Sequence, residues 1–215
     1  MIKKYLNLPL YKKIFLTYIL CWLGFLFSFS LGKLIYYLSN LFKSKKTIEI
    51  TLDTIKTVGT AKYEVVSMTV SSATNNPYLD CALSYIISNF TGCLVIIFVF
   101  ALFAYLAKKD NEDKKRYEKY LTILFIIAVL NPLTGIIGYK LKFTALKYVL
   151  IHGTFEFLGF AISIVLGVEL ANKIYPVVNK SLSKNKLFLL FILAFIFISI
   201  AGFLEPISWY LYFSG

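Results

Sequence analysis

Long apolar blocks alternate along this chain with short polar segments. Five of the blocks reach the roughly 20 helical residues needed to cross a bilayer core. They predict helices over about 14–38, 83–106, 120–139, 148–170 and 187–213. The fold class expected is all-α: a polytopic transmembrane bundle of five helices, forming a single membrane domain over residues 1–215. Residues 42–80 make the one sizeable loop. Within it Ile48, Ile50 and Leu52 alternate with Thr47, Glu49, Thr51 and Asp53, a strand-like period of two. A second run rich in Thr and Val, Tyr63 to Val70, follows Gly59. A small hairpin, a short helix and disorder are the readings open for this loop. Asn75-Asn76-Pro77 signals a turn before the second helix. Asn131-Pro132 and Gly135 interrupt the third block. Trp209, Tyr210 and Tyr212 read as an aromatic belt at the end of the fifth.

Composition agrees with the pattern. The chain is 59% hydrophobic and 16% charged, with a mean hydropathy of +0.73. Soluble domains average about 45–50% apolar and about 25% charged. A soluble globular enzyme and a disordered chain are both disfavoured. The formal net charge of +12 points to membrane flanks rather than nucleic acid, because the cations sit between the blocks. The N-terminal segment (Lys3, Lys4, Lys12, Lys13) and the second and fourth linkers carry fourteen cations, against eight in the other two loops. The positive-inside rule then puts the N-terminus in the cytoplasm, and the C-terminus and loop 42–80 outside. Lys33, inside the first block, is expected to snorkel to the outer interface. The linker Lys108–Lys119 mixes both signs and reads as a solvated connector. The first apolar block is too long for a cleaved signal peptide and reads as a retained helix. Cys21, Cys81 and Cys93 form neither a disulfide framework nor a metal spacing, and read as small apolar side chains.

The informative positions are polar residues inside apolar blocks, where a charge costs roughly 2.5–3.5 kcal/mol at a helix centre. The fourth block holds the only histidine, His152, and Glu156, four residues on and therefore on the same helical face. The fifth holds Glu205, followed by Pro206, and the third holds Asn131. Such groups must face the bundle or a wet cavity. Four readings follow: a hydrogen-bonded knot that pins helices, a proton or ion path, a cavity for a substrate or a partner's helix, and catalysis. Gly153, Gly159, Gly167 and Gly202 are expected to permit close helix packing.

Complete catalytic sets are missing from the sequence. One histidine cannot make H-E-x-x-H, so no metal site is expected, and no cofactor. The aspartates all lie in loops or at an outer edge, which disfavours an aspartic intramembrane protease. No G-x-S-x-G elbow, paired-Glu motif or P-loop is present, so any ATP hydrolysis must come from another protein. Asn89-Phe90-Thr91 matches a glycosylation sequon by chance, at a helix start.

The polar residues resemble the motifs of the stage II sporulation protein M family. Ile151-His152-Gly153-Thr154-Phe155-Glu156 resembles that family's Pro-His-Gly-(apolar)-(apolar)-Glu core, with Ile151 in place of proline. Ile200-Ala201-Gly202-Phe203-Leu204-Glu205 resembles its Ala-rich last helix with a single Glu. Leu130-Asn131-Pro132-Leu133-Thr134-Gly135 resembles its middle-helix Asn-Gly motif loosely, with Pro132 where Gly is usual, and Asn89-Phe90 half matches an Asn pair. The resemblance covers about residues 83–212. It implies a non-enzymatic, multi-pass component of the cell membrane that scaffolds partners for cell-envelope remodelling, as in sporulation. The alternative it implies is a membrane subunit of peptide or bacteriocin export, maturation or immunity, working with a separate ATPase. The partners expected are the lipid bilayer and other membrane or cell-wall proteins, with no nucleic acid.

Overall fold

A computed structural model describes residues 1–41, 45–130 and 141–214, except for the side chains at 39–41 and at most positions between 45 and 62. The described residues contain seven α-helices and no strand: α1 (Ile2–Leu6), α2 (Leu10–Leu41), α3 (Lys45–Ser71), α4 (Pro77–Lys109), α5 (Lys114–Leu130), α6 (Leu146–Ile174) and α7 (Lys184–Ser214). A short 3₁₀ turn, Phe143–Ala145, leads into α6. Four stretches are long and apolar enough to cross a membrane: Leu10–Leu38, Pro77–Lys109, Phe143–Ile174 and Lys184–Ser214. The block predicted over 120–139 is described only as far as Leu130, as α5. Asn131, Pro132 and Gly135 lie outside the described residues.

The alternating segment of loop 42–80 is helical, which corrects the hairpin reading. Its Thr residues are compatible with a helix because their hydroxyls turn back onto the preceding turn. Thr54 donates to the Ile50 carbonyl (2.7 Å), and Thr69 to that of Val65 (3.0 Å). The lone Gly59 supplies no tight turn to reverse the chain, and it lies within α3. The turn signal at 75–77 has become a helix start. The Asn76 side chain accepts hydrogen bonds from the backbone N–H groups of Tyr78 (3.0 Å) and Leu79 (3.3 Å), with Pro77 at the first helical position.

α6 is the axis of the bundle, with α2, α4 and α7 packed around it. Residues 161–169 are buried without interruption, as expected of a helix that is apolar all round. Small residues set the approach distances. A Cβ on Gly159 would lie 2.7 Å from Ile198 of α7. One on Gly167 would lie 2.8 Å from the Phe100 ring of α4. One on Gly202 would lie 3.0 Å from the Ala82 carbonyl of α4. One on Gly24 would lie 2.6 Å from the Val129 carbonyl of α5. At Gly153 the nearest atom would be 3.4 Å away, an ordinary contact, so this glycine does not mark a close approach.

The end of the bundle carrying α1 is closed by polar side chains in a tight arrangement. Ile2, Tyr5 and Leu6 of α1 are buried, and the Tyr5 ring lies against Phe125 (4.7 Å). Asn172 organises the turn after α6: its Oδ1 accepts from the N–H groups of Val177 (2.9 Å) and Val178 (3.0 Å), and its Nδ2 donates to the Lys180 carbonyl (3.0 Å). Tyr175 donates to the Glu112 carbonyl (2.7 Å) and ties this turn to the α4–α5 connection.

Candidate functional site

His152 and Glu156 lie one turn apart on α6, and the packing of α7 against α6 brings Glu205 to them. One ligand atom from each of the three lies within 4.8 Å of the others. His152 Nε2 is 3.6 Å from Glu205 Oε2, and both residues are 5% exposed. Glu205 Oε1 accepts a hydrogen bond from Trp209 Nε1 (2.9 Å), one turn further along α7. Trp209 of the predicted aromatic belt is therefore turned inward, whereas Tyr210 is exposed.

A third helix reaches the same carboxylate. Tyr85 of α4 faces Glu205. The close α4–α7 approach at Gly202, one turn before Glu205, allows this. Pro206 within α7 lacks an N–H, which leaves the Gly202 carbonyl without its helical donor. The neighbouring Phe203 carbonyl accepts from Tyr78 of α4 (2.7 Å), a second tie between the same helices.

The network extends to α3. The Tyr63 ring lies 4.6 Å from that of Tyr85, and its hydroxyl faces Cys81 Sγ at 4.0 Å. Burial, and then the neighbouring Cys81, push the Tyr63 phenol up to about 12. The cluster thus joins α3, α4, α6 and α7. One polar atom is unmet: His152 Nδ1 is buried without a hydrogen-bond partner.

A 51% identity over 222 residues links the chain to Uncharacterized protein MJ0096 of Methanocaldococcus jannaschii, covering 98% of this chain and 84% of that one. The chain belongs to the MJ0096 family. No family model and no solved structure matches it.

Within this MJ0096 relative the structure also exposes a buried group that sequence reasoning missed. Lys13, counted among the flanking cations, pairs with Glu169 near the end of α6. The two side chains are 5% and 2% exposed. Beside them the hydroxyls of Tyr5 and Thr17 are 2.7 Å apart. The available signal was Glu169 itself, an acidic residue at the end of the fourth apolar block. Lys33 bonds the Leu141 carbonyl and lies over the rings of Phe29 (5.5 Å) and Phe143 (5.8 Å), so it is held by the protein near the C-terminal end of α2.

Proposed function

We propose that the protein is a non-enzymatic, multi-pass component of a cell-membrane complex. Its N-terminus is cytoplasmic, α3 lies outside, and it scaffolds partners in the manner of the stage II sporulation protein M family. The observation that carries this reading is the link between α3 and the bundle. The Tyr63–Tyr85 ring contact joins α4, beside Glu205, to a long helix that lies outside the four apolar spans. That helix exposes Ile50 (58%), Val65 (65%) and Met68 (73%), apolar side chains that a partner would cover. The remodelling of the cell envelope is the setting that the motif resemblance supplies. A buried cluster shared by four helices suits a rigid platform, since polar contacts between helices favour one arrangement of the elements around them.

Photo-crosslinking from positions 50, 65 and 68 in native membranes tests the reading. The expected product is a discrete adduct with an extracytoplasmic or membrane protein, lost when Tyr63 and Tyr85 are both replaced by Phe. A protein that crosslinks only to lipid, and that co-purifies only with a cytoplasmic ATPase, would replace scaffolding by export.

A further inference from the structure

We infer that His152, Glu156 and Glu205 bind one divalent transition-metal ion of the zinc, manganese or iron class, which clamps α6 to α7. This goes beyond the scaffold reading and does not depend on it.

The donor set comes first. One imidazole and two carboxylates are ligands that these ions accept. Calcium and magnesium favour all-oxygen surroundings, so the imidazole selects against them. The distances come next. Two ligands of a tetrahedral ion with bonds of about 2.0–2.1 Å are about 3.4 Å apart. His152 Nε2 and Glu205 Oε2 are 3.6 Å apart, too long for a hydrogen bond but close to that ligand spacing. The widest separation in the triad, 4.8 Å, requires a closure of about 1.4 Å, within the reach of a Glu side chain.

The surroundings of the triad are the third observation. Glu205 is oriented through its carboxylate by the Trp209 indole N–H on α7 (2.9 Å). Metal ligands are commonly held by such outer partners. His152 is 5% exposed, and its Nδ1 has no partner. The protein therefore does not by itself satisfy this imidazole. Coordination through Nε2 gives the ring a bond that its 3.6 Å contact with Glu205 does not. Three protein ligands from two helices leave a further position on the ion for water or another group.

Equilibrium dialysis of the detergent-purified full chain against Zn²⁺, Mn²⁺ and Fe²⁺ separately, read by elemental analysis, tests the site. About one ion per chain is expected for the favoured metal. Co²⁺ should give the visible absorption of a four- or five-coordinate site. His152→Ala and Glu205→Gln should abolish both signals. Trp209→Phe, which keeps every ligand but removes the donor to Glu205, should weaken binding by roughly 10–100-fold. It also serves if either ligand variant fails to fold. Folded wild-type protein that takes up none of the three ions would overturn the proposal. So would uptake that is unchanged in His152→Ala and Glu205→Gln.

Discussion

Lys13 in the first turn of α2 and Glu169 near the end of α6 form an ion pair with both side chains almost wholly buried. Removing one partner from such a pair strands the other charge and costs about 3–5 kcal/mol. Replacing both by apolar residues is often neutral or better. Glu169→Gln and Lys13→Met should each lower the unfolding midpoint in detergent sharply, as followed by circular dichroism. The double variant Lys13→Met/Glu169→Leu should recover most of the loss. A double variant as unstable as the two losses added together would mean that the charges act separately.

Gly202, Gly24 and Gly153 make a graded series. A methyl group at Gly202 or Gly24 would meet backbone atoms of the neighbouring helix, which cannot swing away. At Gly153 it would meet side chains at ordinary distances. Gly202→Ala and Gly24→Ala should therefore destabilise by about 1–3 kcal/mol, the usual cost of overpacking. Gly153→Ala should be neutral or slightly stabilising, because alanine is the better helix former by about 1 kcal/mol. Chemical denaturation in a mixed micelle would read the order. Equal losses at Gly153 and Gly202 would contradict the packing described.

The positions of these residues show what a one-dimensional reading can reach. Four of the predicted apolar spans were legible because a bilayer demands a fixed length of apolar helix, and length is counted directly on the chain. The shared face of His152 and Glu156 was legible because helical spacing alone decides it. That Glu205 joins them depends on how α7 packs on α6, which no local period encodes. Lys13 looks like any flanking lysine until Glu169, 156 residues later, is placed beside it. α3 was obscured because Thr and Val fit a strand period and a helix equally well over a few residues. The metal ligation inferred above was invisible for the same reason as Glu205: the third donor comes from another helix.

Tyr63 carries a pH signature. Its phenol titrates near 12 in the folded chain, against about 10 when unfolded. Between those values the folded state retains a proton that the unfolded state has lost, so folding weakens as pH rises. The contribution is fully present below pH 10 and is lost by about pH 12. The wild-type melting temperature should fall across that window, and Tyr63→Phe should fall less steeply. Parallel curves for the two proteins would show that Tyr63 does not meet α4 as described.

Cysteine labelling tests the packing and the proposed orientation together. Cys21 and Cys93 are 6% and 0% exposed, within α2 and α4, whereas Cys81 is half-buried near the start of α4. A maleimide should modify one thiol per folded chain, and Cys81→Ser should remove that signal. All three should react after denaturation, because no disulfide ties them. If α3 and the start of α4 are extracytoplasmic, a membrane-impermeant maleimide added to intact cells should reach Cys81 without permeabilisation. Thiol reactivity requires the thiolate, so the reaction should quicken as pH rises, and matched rates need a fixed pH. Labelling only after permeabilisation would reverse the orientation and place α3 in the cytoplasm, leaving the fold intact. Ready labelling of Cys93 in the folded chain would instead contradict the packing of α4, since that side chain has no exposed surface.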